Sequence, residues 1–287
     1  MISGATLPSL FLRQPYRAGD PEMPGPGTVE WIPHNSMHIW TGDNSRPNAE
    51  NMGVYYSAGR DPIFYPHHAN IDRLWESWRG IVGARRRRAD FADPDWLDSS
   101  FLLYDEDARL VRVRVRDCLD PAALRYTYQD VGLPWLDAKP PTEAGSPAPA
   151  TGTLPATLGQ TVRVAVTRPR TSRSRREKEE EEEVLVVEGI EVADHLKFVK
   201  FDVFVNQSQG EAATTAAAEC AGSVAMAPHA VRPGKAEGAV KTAARFGICD
   251  LLDDIGADGD KTIVVSLVPR CAGDMVTVGG VRIEYVK

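Results

Sequence analysis

The chain has 287 residues, a formal net charge of −7 and 43% hydrophobic residues, six of them tryptophan. That length and composition support one large or two modest domains with a real core, while the acidic balance gives no general basic surface for nucleic acid. No stretch approaches the roughly 18 apolar residues of a membrane span.

The first informative segment is Pro33-His34-Asn35-Ser36-Met37-His38-Ile39-Trp40. Residues i and i+4 share one helix face, so both imidazoles can meet one metal, and Pro33 suits a first helical turn. A zinc protease would need Glu directly after the first His as general base, and here that position is Asn35. The second segment, Asp61-Pro62-Ile63-Phe64-Tyr65-Pro66-His67-His68, carries adjacent histidines. On a helix these point about 100° apart, so one is expected as a ligand and the other as a packing or orienting neighbour. From Ala69 on, Ile71, Leu74, Trp75, Trp78, Ile81 and Val82 predict a core-facing helix to about Val82. Four of the six histidines thus fall within 35 residues. Neutral imidazole suits copper, zinc and non-haem iron, and a three-His site on two helices is the natural reading. The bland alternative is a set of satisfied core histidines.

Arg85-Arg86-Arg87-Arg88 reads as a solvated helix end favoured by the dipole. Leu110 to Asp117 alternates apolar and basic residues, a half-buried strand. From about 137 to 183, clustered prolines and a charge block through Glu183 predict a largely disordered linker. Only Thr161 to Val166 interrupts it, as a strand of the following domain. Strands are expected over 184–190, 198–205, 262–268 and 276–285, with turns at Asp258-Gly259 and Gly279-Gly280, together a compact sandwich. The Ala-rich run from Ala212 to Ala221 reads as a variable loop or short helix. Cys118, Cys220, Cys249 and Cys271 have no CxxC spacing, so buried thiols are the default. His195 and His229 are isolated.

In combination these segments resemble the plant polyphenol oxidases, the catechol oxidase and tyrosinase family. The likeness is carried by the tandem-His run to Trp75, the Asp95-Trp96-Leu97 triplet, the Tyr126-Thr127-Tyr128 motif and Lys200-Phe201-Asp202-Val203. It implies an α+β chain: a partial helical type-3 copper domain followed by an antiparallel β-sandwich. Its parts would be the second copper half over 1–92, a middle region over 93–136 ending at the tyrosines, the linker over 137–183, and a shielding sandwich over 184–287. Family ligands fall on His34, His38 and His68, with His67, Asn70 and Asp72 as orienting groups. Glu30 and Asn35 match a pair that holds and polarises a site water, associated with deprotonating a monophenol. The gate ring falls on Tyr55, a departure from the usual Phe, and Pro66 replaces a small residue. Ile39 is an apolar wall position.

The resemblance implies copper-dependent oxidation of o-diphenols to o-quinones by dioxygen, using two ions with three histidines each. This sequence supplies one such set and begins at a segment similar to the middle of the catalytic domain. The expectation is at most one copper, a catalytically silent chain by itself, and a partner chain or full-length relative supplying the first copper half. The family works in the plastid thylakoid lumen, although no transit peptide is evident. Exposed apolar helix faces should leave the N-terminal region poorly stable alone, while the sandwich folds.

Overall fold

The computed structural model describes residues 4–15, 25–47, 49–81, 88–138, 140, 146–208, 214–228 and 241–287. Its helical part opens with α1 (Pro8–Phe11), a proline-started turn that buries Leu10 and Phe11. A turn starting at Thr28 breaks at Ile32, which is extended (φ −148°, ψ 124°). The helix restarts at Pro33, whose ring fixes φ for a first turn, and continues into α2 (Ser36–Thr41). After the short α3 (Tyr55–Ala58) comes α4 (Phe64–Gly80), which buries His67, Leu74 and Trp78. Pro66 sits in its first turn, where no intrahelical donor is lost. The ring of Trp78 stacks on Phe11 at 4.6 Å.

Helix α4 ends two residues before the predicted Val82, which, like Arg85 to Arg87, lies outside the described residues. Arg88 departs from the expected solvated helix end: it is buried and donates to the Ile81 carbonyl at 3.2 Å. Asp93 then caps α5 (Pro94–Asp98) by accepting from the Asp95 and Trp96 amides. Strands β1 (Ser100–Tyr104) and β2 (Leu110–Arg114) form an antiparallel hairpin. The predicted strand over 110–117 is cut at Arg114, because Val115–Cys118 winds into a 3₁₀ turn. A short α6 (Pro134–Asp137) closes this region.

The rest is the expected sandwich. In chain order it comprises β3 (Ala156–Thr157), β4 (Val162–Thr167), α7 (Arg175–Glu180), β5 (Glu182–Val192), β6 (Val199–Val205), β7 (Cys220–Met226), β8 (Thr242–Gly247), α8 (Cys249–Asp254), β9 (Thr262–Cys271), β10 (Val276–Val278) and β11 (Gly280–Val286). One sheet runs β4-β9-β6-β7; the other runs β11-β5-β10-β3, with β8 also on β5. Alternate residues such as Leu185, Val187, Phe201, Val203, Val265 and Leu267 fill the space between them. Gly189 in β5 has φ +64° at a register shift and lies against Gly279, so the bulge needs a residue without Cβ.

The strand expected over Thr161 to Val166 is present as β4, but the disorder expected around it is corrected from Ala156 onward, where β3 and α7 also form. The charge block is ordered because its charges find partners. Ser174 and Glu177 form a capping box, Arg175 and Arg176 pair with Glu179 and Glu180, and the buried Lys178 reaches Asp253 and Asp258, both at 2.6 Å. Beside them Arg168 is buried against Glu183 at 2.7 Å and donates to the carbonyls of Ala257, Asp258 and Asp260. All four cysteines are free, and only Cys249 is buried.

The two parts share a core. Trp31, 1% exposed, belongs to the sandwich cluster although it precedes α2, and Ile32 packs beside it. Thr6 Oγ1 donates to the buried Glu182 of β5 at 2.8 Å. The turn that launches the histidine helix is therefore seated on the sandwich.

Candidate metal centre

The restart at Pro33 sets His34 and His38 one turn apart, and α4 brings His67 and His68 across from them. One donor atom from each of the four lies within 4.8 Å of all the others. The His38 Nδ1–H donates to the Met52 carbonyl at 2.8 Å. His34 Nδ1 lies 3.0 Å from Asn35 Oδ1, to which it can only donate. Both imidazoles are thereby fixed with Nε2 unprotonated when neutral, and these two Nε2 atoms face each other at 3.2 Å. His67 is hydrogen-bonded to the His34 backbone. The Nε2 atoms of His67 and His68 are buried without a hydrogen-bond partner.

Burial pushes all four histidines toward the neutral form. His34 and His67 are lowered to about 4, with neighbouring imidazoles adding to the effect, and His38 and His68 are lowered for the same first cause. Converging neutral lone pairs repel one another. A cation between them resolves the repulsion and satisfies the orphaned nitrogens, so the donor set fits a borderline metal such as copper. The group contains no carboxylate or thiolate.

His67 is no more remote than His68: its ring lies 5.0 Å from His38 and 5.3 Å from His34, against 5.6 and 5.1 Å for His68. The expected angular separation of adjacent residues does not expel either ring from the cluster. Asn70 and Asp72, read as orienting groups, go elsewhere. Asn70 is exposed and accepts from Arg73 Nε at 3.0 Å, being about 200° around the helix from His68. Asp72 accepts from the hydroxyls of Tyr126, at 2.7 Å, and Tyr128. The tyrosine motif therefore ties the middle region to α4.

Tyr55 is half exposed, with its ring 6.1 Å from that of His38 and nearly perpendicular to it, and its hydroxyl donates to Asn35 Oδ1 at 3.1 Å. Burial, then the charge of Glu30, raises its pKa. Glu30 is itself raised by burial and lines a cavity with Trp75, Phe91 and Trp96. Asn35 is buried, and its Nδ2 donates to the Ala225 carbonyl of β7 at 2.8 Å. Two contributors escaped the sequence reading. Phe64 lies on the His68 ring at 4.0 Å, which its i, i+4 relation to His68 could have signalled. The Met52 carbonyl is backbone in a loop, and no residue type announces it.

Three family matches run along the chain: the common central domain of tyrosinase over residues 3–81, the polyphenol oxidase middle domain over 90–141, and the chloroplastic polyphenol oxidase C-terminal domain over 154–285. The chain is 46% identical over 304 residues to a chloroplastic polyphenol oxidase of Vitis vinifera, covering 100% of this chain and 49% of that protein. It belongs to the plant polyphenol oxidase family. Aureusidin synthase of Antirrhinum majus is 45% identical over 99% of the chain and 52% of its own length, and catechol oxidase B of Solanum tuberosum is 42% identical over 99% and 49%. Among solved structures, latent apple tyrosinase superposes with a TM-score of 0.86 at 43% identity, covering 99% of this chain and 62% of that one. A latent aurone synthase gives 0.86 at 37%, covering 99% and 56%. The chain thus spans about half the length of the curated relatives it matches. Several of those relatives are named chloroplastic, and no described helix is long and apolar enough to cross a membrane.

Proposed function

We propose that this chain contributes one copper site to the oxidation of o-diphenols to o-quinones by dioxygen. The observation that carries the reading is the four-histidine convergence with its two tautomer-fixing carbonyl-type acceptors, in a chain of polyphenol oxidase ancestry. His34, His38 and His68 are the ligands, with His67 packed beside them. The chemistry copper supplies there is one-electron redox exchange, by which two catechols become two o-quinones as one dioxygen becomes two waters. Tyr55 stands where a phenol would enter, and Phe64 holds the His68 ring. Both lone pairs of Asn35 Oδ1 are engaged, by His34 and Tyr55. That oxygen is not free to polarise a water, which favours diphenol oxidation over monophenol hydroxylation.

Two three-histidine sites would need all six histidines of the sequence, yet His195 sits in the Asp194–Lys197 turn of the sandwich and His229 is far along the chain. A second ligand set must come from outside this sequence, and the chain alone binds one copper and is silent. Its site of action is proposed as the plastid, in the thylakoid lumen. Oxygen uptake with 4-methylcatechol tests this: the copper-loaded chain should show no rate above the same copper in buffer. Saturable oxidation at a rate typical of enzymes would contradict the single-site reading.

A further inference from the structure

Of the two fixed tautomers, that of His38 is set locally, by Met52 fourteen residues away, and that of His34 is set by a chain of contacts leading out of the helical part. Asn35 Nδ2 donates to the Ala225 carbonyl in β7. That bond fixes which way the amide points, since a carbonyl oxygen accepts and cannot donate. With Nδ2 on Ala225, Oδ1 must face His34 and Tyr55, and it accepts from both, at 3.0 and 3.1 Å. An acceptor at His34 Nδ1 keeps the proton there and leaves Nε2 as a lone pair aimed into the cluster. A flipped amide would leave the Ala225 carbonyl facing an oxygen at a buried position where unpaired polar groups are costly, and would let His34 Nδ1 accept instead, moving its proton to Nε2.

We infer that Asn35 is a positioning residue through which the docked β-sandwich sets the metal-ready form of His34, so that sandwich docking and copper binding reinforce each other. The surroundings make this more than a single contact. Trp31, four residues before Asn35, is buried in the sandwich core, so the amide cannot follow a displaced β7 without pulling that ring out. Coupling between two binding events is reciprocal: copper on His34 holds the amide oriented, and the oriented amide holds β7. The inference rests on the copper reading of the cluster.

The test uses the full chain and copper alone, with affinity taken from competition against a chromophoric chelator. Docking is read from hydrogen exchange of the β7 amides with and without copper. In the wild type, copper should slow exchange in β7. Asn35→Ala should bind copper about tenfold or more weakly, the scale of losing an outer partner of a ligating histidine, and its β7 exchange should no longer respond to copper. Asn35→Asp separates the two roles. Its carboxylate still accepts from His34, so affinity stays near wild type, but it cannot donate to Ala225, so the copper response of β7 is lost. Wild-type affinity in Asn35→Ala, or an undiminished β7 response in Asn35→Asp, would overturn the inference while leaving the copper site standing. No copper binding by the wild type would overturn both.

Discussion

Replacing His38 with alanine is expected to abolish copper retention while leaving the fold in place. His38 is 2% exposed, its Nε2 lies 3.2 Å from that of His34, and its ring is within 5.0 Å of His67 and 5.6 Å of His68. It is the ligand most enclosed by the others, and Met52 locks its orientation. Loss of an outer partner of a ligand weakens metal binding by roughly 10–100-fold, and loss of the ligand itself should exceed that. The metal-free protein loses mainly one hydrogen bond to the Met52 carbonyl, about 1 kcal/mol. Relief of crowding among neutral imidazoles works in the opposite sense. Chelator competition and urea unfolding on the same variant separate the two effects. Applied to His67→Gln and His68→Gln, the same pair of measurements assigns the third ligand: the larger loss of affinity should fall on His68. An equal or larger loss at His67 would move the assignment to its neighbour.

Copper binding should persist below the ordinary imidazole range near 6.5, with His34 resisting protonation down to about 4 and His38 and His68 also lowered by burial. The ligands must be neutral to bind, and burial holds His34 and His67 at about 4 instead of the ordinary 6.5. Protons therefore compete late. For the metal-free protein the linkage runs the same way. Between 6.5 and about 4 the unfolded chain takes up protons that the folded cluster refuses, so stability falls as pH falls through that window and levels off below it. Glu30, raised by burial, acts in the opposite direction, since folding favours its protonated form. Titrating copper affinity against pH, with urea midpoints of the metal-free form alongside, checks both. Loss of copper centred near 6.5 would mean that the histidines are solvated and the cluster is open.

Much of this architecture was legible in the residues. The i, i+4 spacing of His34 and His38 and the 3.6-residue periodicity after Ala69 located both ligand helices, and β-branched runs located β5, β6 and β9. What failed did so for tertiary reasons. Strand β7, Cys-Ala-Gly-Ser-Val-Ala-Met, has little intrinsic strand preference and is held by pairing with β6 and by burial. The charged segment through Glu183 looked disordered because its compensating partners, Asp253 and Asp258, lie some 75 residues further on. Asp72 sits one helical turn beyond His68 and looked like an orienting group. Only the fold shows Tyr126 and Tyr128 closing on it. The role of Ala225 could not be read at all, since its contribution is a backbone carbonyl supplied by strand placement.

One metal position is built by His34 in the turn before α2, His38 in α2 and the tandem histidines of α4. The most direct test is the copper-to-chain ratio of the purified, copper-reconstituted protein, with oligomer mass determined on the same sample. One copper per chain, lost in His38→Ala, is the predicted result. Two coppers per chain would contradict it, since the described residues contain no second histidine group to hold the other ion. No bound copper at neutral pH would show that the convergence of His34, His38, His67 and His68 is packing alone.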